Sequence, residues 1–106
     1  MAEKAHPSEG GVRVNPVDRR GRIIHPAVLN AAEEIGRRAL RHAERQLIDP
    51  AVAANLLEEA AATVSRAMSA KAVGQPPIKD LQSYLFRAFL RRVNKRRKRE
   101  LSLGNL

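Results

Sequence analysis

The chain has 106 residues, and at that length one small domain is expected, with no room for a second core. Twenty Lys and Arg against eleven Asp and Glu give a formal charge of +9, and 43% hydrophobic residues suffice for a modest core, so the chain reads as globular and basic. The absence of cysteine excludes a disulfide framework and any thiolate metal site.

No run approaches the roughly 20 apolar residues that a membrane span needs. Met1 to Gly11 lacks the apolar stretch of a secretory signal, so a cytoplasmic protein is the expectation.

Residues 1–22 carry Pro7, Gly10, Gly11, Pro16 and Gly21 among scattered charges with no apolar period. Such a segment buries too little surface to offset chain entropy and is expected to be a flexible arm. The helical domain is expected over 23–100, with a tail at 101–106.

From Pro26 the apolar positions Val28, Ala32, Ile35, Ala39, Leu40, Ala43 and Leu47 recur at steps of three and four, the period of one helix face. Pro26 suits a first turn, where its missing N–H costs nothing. Asp49-Pro50 reads as a cap followed by a first-turn proline, and Val52, Leu56, Leu57, Ala60, Val64, Ala67 and Met68 set a second amphipathic helix.

Gly74-Gln75-Pro76-Pro77 breaks that helix. Asp80 then caps a third, whose inner face is Leu81, Tyr84, Leu85, Ala88 and Phe89. Nothing reads as a strand, so the fold class is all-α: three helices around one core. Two helices are rich in alanine, which forms helix well but buries little area per residue. The core is therefore expected to lean on Ile35, Leu40, Leu47, Leu56, Leu57, Leu85 and Phe89, and stability to be marginal.

Charge is concentrated at one end. Between Arg87 and Glu100 stand eight basic residues and one acid, while the other 92 residues hold twelve cations and ten acids. On a helix Arg87, Arg91, Lys95 and Lys98 form one stripe, and Arg92, Arg96 and Arg99 take over the face that Leu85, Ala88 and Phe89 give to the core. Past Val93 the helix is therefore expected to leave the domain body. A projecting cationic helix suits a phosphate backbone, because each neutralised phosphate releases counterions without any need for sequence. A solvated tail and an anionic membrane surface are the alternatives for a basic run of this kind.

Catalytic signatures are missing. His6, His25 and His42 have no metal-ligand spacing, and neither GxGxxG nor GxxxxGK occurs. Ser65, Ser69 and Ser83 have no histidine within a turn, and read as capping or surface residues rather than nucleophiles. Adjacent Glu58 and Glu59 point about 100° apart on a helix, which suits an acidic surface for a protein partner better than an acid/base pair. Neither an enzyme, nor a metal site, nor a cofactor is expected.

Three segments, in order, resemble the region 2 domain of bacterial RNA polymerase sigma factors, in particular the short extracytoplasmic-function group. Arg38-Ala-Leu-Arg-His-Ala-Glu-Arg-Gln-Leu-Ile-Asp-Pro50 is similar to that family's first helix and its R-L-L-G-D-P turn. Asn55-Leu56-Leu57-Glu58-Glu59 stands where those proteins have Asp-Leu-x-Gln-Glu. Ile78-Lys-Asp-Leu-Gln-Ser-Tyr-Leu-Phe-Arg87 is similar to I-x-x-L-x-x-W-L-Y-R and is followed by the family's basic helix end.

The resemblance covers about two thirds of the chain. It implies a second helix that docks on RNA polymerase through Asn55, Glu58 and Glu59. It also implies a third helix that meets promoter DNA, with Tyr84 and Phe86 near unstacked bases and Arg87, Arg91, Arg92, Lys95, Arg96, Lys98 and Arg99 along the strand. DNA and core RNA polymerase are the implied partners, and a second sigma fragment or an inhibitory protein are further candidates.

Arg91 and Lys95 stand where many of these sigma factors carry Asn and Asp, and Ala61 replaces the usual aromatic after the docking motif. With 106 residues the expectation is a stand-alone region 2-like domain without the second, helix-turn-helix sigma domain. A basic helical module that binds RNA or a protein partner without promoter specificity is the alternative reading.

Overall fold

The computed structural model describes residues 13–70 and 79–104. Three helices, α1 (Pro26–Arg45), α2 (Pro50–Ser69) and α3 (Leu81–Gly104), pack pairwise around one core, as the all-α reading predicts. The Gly74 to Pro77 breaker lies outside the described residues.

Each start is capped locally. Asp49 Oδ1 accepts the Ala51 N–H at 2.8 Å with Pro50 behind it, and His25 Nδ1 accepts the Ala27 N–H at 3.1 Å ahead of Pro26. Asp80 caps α3 by accepting the Ser83 N–H at 3.1 Å and the Ser83 hydroxyl at 2.8 Å.

The core is built on Phe89, Leu57, Leu85, Val28, Val64 and Val93, all fully buried. Between them α1 presents Ala31, Ala32, Ala39 and Ala43, and α2 presents Ala53, Ala60 and Ala61. Small side chains let helix axes approach closely, so alanine here contributes contact across the interface in place of bulk.

Leu47 departs from the sequence expectation: it is 91% exposed, outside the core. Gln46 ends α1 and Leu47 takes a left-handed φ of 63°. The Leu47 N–H then donates to the Glu44 carbonyl at 2.9 Å and the Ile48 N–H to the Ala43 carbonyl at 3.0 Å. This pair of bonds is a Schellman ending, and it buries Ile48 instead of Leu47.

Residues 13–22, expected in a flexible arm, also depart from that expectation. Val14 and Ile24 are buried in the core cluster, and Val17 pairs with Ile23 in an antiparallel bridge. The turn between them is Asp18-Arg19-Arg20-Gly21, closed by the Gly21 N–H to the Asp18 carbonyl at 3.0 Å, with Gly21 at a left-handed φ of 79°. The Asp18 carboxylate accepts the N–H groups of Arg20 and Arg22, each at 2.9 Å. Two buried side chains and a self-closing turn supply the burial that the arm's average composition hides.

Candidate nucleic-acid interface

α3 carries the candidate interface. Up to Leu101, Val93 is its last buried residue, and from Asn94 to Leu101 every side chain is exposed except half-buried Arg96. The helix continues to Gly104, so its end projects about 16 Å past the core at 1.5 Å per residue. Helix continues through 101–104, which the sequence reading assigned to the tail.

The cations of α3 fall into two groups. Arg87, Arg91, Lys95, Arg97, Lys98 and Arg99 are exposed, and none makes an ion pair among the described residues. Arg92 and Arg96, expected on the DNA strand as well, are engaged elsewhere. Arg92 donates to Thr63 Oγ1 at 2.6 Å and to the Ala88 carbonyl at 3.3 Å, and lies 3.9 Å from Glu59. Arg96 pairs with Glu100 one turn on, at 2.9 Å. Arg92 sits one turn before the overhang, where α2 is still within reach, and so it fastens α3 to α2.

The two aromatic candidates also divide. Tyr84 is exposed, although its spacing had placed it on the inner face. Phe86 is half-buried: the Arg38 guanidinium lies 4.5 Å above its ring centroid, with His42 edge-on at 6.3 Å and Phe89 at 6.2 Å. Its ring is committed to the α1–α3 seam, so the expected stacking of Phe86 on an unstacked base would require Arg38 to move.

On α2, Asn55 is exposed, while Glu58 and Glu59 are half-buried beneath the N-terminal hairpin. Glu58 accepts the Asn15 N–H at 3.3 Å, and Glu59 lies 3.6 Å from Arg19 and 3.9 Å from Arg92. An open cleft of about 520 Å³ separates hairpin from helix. Its lining mixes both signs, Asp18, Glu58 and Glu59 against Arg19, Arg20, Arg66 and Arg92, so most of its charge is balanced within the cleft. Ser65, read as a cap or surface residue, is buried and accepts the His25 N–H at 2.8 Å, which pins the start of α1 to α2.

The hairpin was missed in the sequence. Its signal is the Asp-x-x-Gly turn at Asp18 to Gly21, flanked by Val14 and Val17 on one side and Ile23 and Ile24 on the other.

Among the described residues no three His, Asp or Glu side chains gather as a metal site, and no helix is long and apolar enough to cross a membrane. Comparison with known proteins finds no matching family model, no matching curated protein and no matching solved structure.

Proposed function

We propose that this protein binds DNA through α3 and works in transcription in the manner of a sigma region 2 domain. The observation that carries the reading is the exposed stripe Arg87, Arg91, Lys95 and Lys98, on a helix whose end projects beyond the core. Long-range attraction to a phosphate backbone needs such cations to be free of internal partners and clear of the domain body.

Contact is chiefly with the backbone. The chain has one Tyr and two Phe, of which Phe89 is buried and Phe86 sits under Arg38, leaving Tyr84 as the exposed platform for a base. Arg91 and Lys95 are suited to phosphates rather than to base-edge readout, so affinity exceeds sequence preference. RNA offers the same phosphate chemistry and is the ligand of the alternative reading.

The polymerase half of the proposal assigns docking to the α2 surface around Asn55, Glu58 and Glu59. It is supported by the resemblance of Asn55 to Glu59 to the sigma docking segment and by the exposure of Asn55. A partner arriving there exchanges the Asn15 N–H and Arg19 for donors of its own.

The test is the variant Arg87→Gln, Arg91→Gln, Lys95→Gln, Lys98→Gln. All four side chains are exposed, so helicity by circular dichroism stays at the parent level while duplex DNA binding is lost. Undiminished binding by the folded variant would overturn the reading.

A further inference from the structure

α1 carries four exposed arginines, Arg37, Arg38, Arg41 and Arg45. The two acids one turn before the first pair are occupied elsewhere. Glu33 accepts the Val14 N–H at 3.4 Å, and Glu34 accepts the Gln82 side-chain amide. No carboxylate pairs with any of these four arginines among the described residues.

Helical spacing places Arg38, Arg41 and Arg45 together on one flank of α1, and the contacts identify that flank as the one facing α3. Glu34 meets Gln82, and Arg38 and His42 meet Phe86, so the two helices run side by side in the same direction. Half-buried Phe86 and Leu90 lie on the α1 side of α3, exposed Arg97 falls on the same helix face seven residues after Leu90, and Arg87 points about 100° round the helix from Phe86, toward solvent. Asp80, at the head of the seam, senses both banks: the Ser83 hydroxyl holds its carboxyl below the ordinary value, with smaller contributions from Arg87 and Arg38. α2, in contrast, carries Glu58 and Glu59 half-buried beneath the hairpin and Arg66 as its single cation.

We propose that Arg38, Arg41 and Arg45 are the second bank of the DNA surface, so that a phosphate backbone follows the α1–α3 seam and is held from both helices. This rests on the reading of α3 as the DNA-binding helix. It adds three cations from a helix that the sequence resemblance does not place on DNA.

The test is the salt dependence of duplex DNA binding by the full chain, compared across three variants. Arg38→Gln, Arg41→Gln, Arg45→Gln is expected to lower the slope of log K against log salt by about 2.7, at roughly 0.9 per phosphate contact. Arg41→Gln, Arg45→Gln leaves the Phe86 cover untouched, guards against a folding artefact, and is expected to lower the slope by about 1.8. The third variant is Arg87→Gln, Arg91→Gln, on α3. If only this third variant lowers the slope, the strand contacts α3 alone and the proposal fails while the reading of α3 stands. If none of the three lowers it, both fail. Loss of slope in the α1 variants for single-stranded RNA, with none for DNA, would also overturn it.

Discussion

Arg92 of α3 donates to Thr63 Oγ1 of α2 across 2.6 Å, and Glu59, one turn before Thr63, lies within 3.9 Å of the same guanidinium. An arginine in the middle of a basic run is thereby taken out of the proposed DNA surface and put to work in the fold. Arg92→Ala is expected to cost about 1–2 kcal/mol in urea unfolding, the scale of a half-exposed charged hydrogen bond. Its DNA salt slope should stay at the parent value. A drop in slope with unchanged stability would return Arg92 to the DNA surface.

Leu47 holds a left-handed backbone with its side chain in solvent, so it meets the steric cost of that conformation without burying anything in return. Leu47→Gly should therefore raise stability by about 0.5–1 kcal/mol, the steric gain less the extra freedom of glycine in the unfolded chain. Chemical denaturation measures this directly. A loss of stability would mean that the Leu47 side chain makes contacts of its own.

Asp18 and Asp80 both have carboxyls held below the ordinary 3.8. For Asp18 the main cause is the Arg22 backbone N–H, with the Arg20 N–H adding to it; for Asp80 it is the Ser83 hydroxyl, then the Ser83 N–H. A depressed carboxylate contributes stability that is present above the unfolded value and is lost as pH falls through the lower folded value. Acid should accordingly loosen the hairpin turn and the start of α3 below about pH 3.8, with little change from these groups near neutrality. Asp18→Asn, Asp80→Asn should flatten that part of an acid titration followed by thermal melting, and an unchanged acid limb would contradict it.

The hairpin competes for the α2 acids, which makes a signed prediction for polymerase docking. Arg19→Ala frees Glu59 from one partner and should strengthen binding to bacterial core RNA polymerase in a pull-down. Glu58→Lys, Glu59→Lys should abolish it. Binding that ignores both changes would place the polymerase contact elsewhere, and no binding by any form would leave a basic helical bundle without a polymerase role.

The parts of this fold that were legible in the sequence are those governed by local rules. Asp49, Pro26 and Asp80 announce helix starts because caps and first-turn prolines act within three residues of themselves. The departure of α3 from the core after Val93 was legible too, since arginines replace apolar residues on the inner face. What the sequence concealed depends on partners far along the chain. Leu47 keeps the apolar period of α1, yet the helix ends two residues earlier, and periodicity alone cannot say where winding stops. Arg92 and Phe86 read as free because Thr63 and Arg38 lie 29 and 48 positions away in the chain. Val14 and Ile24 were hidden by the polar composition around them, although the Asp18 to Gly21 turn was a local signal that pairs them.

The cations on α3, with those of α1 beside them, are proposed to bind a phosphate backbone. The most direct measurement is the affinity of the full chain for a short DNA duplex between about 50 and 200 mM salt. Contact by the four stripe cations alone predicts a log–log slope of about −3.6, and the α1 bank makes it steeper. A slope near zero, or no binding at the low-salt end, would contradict the account.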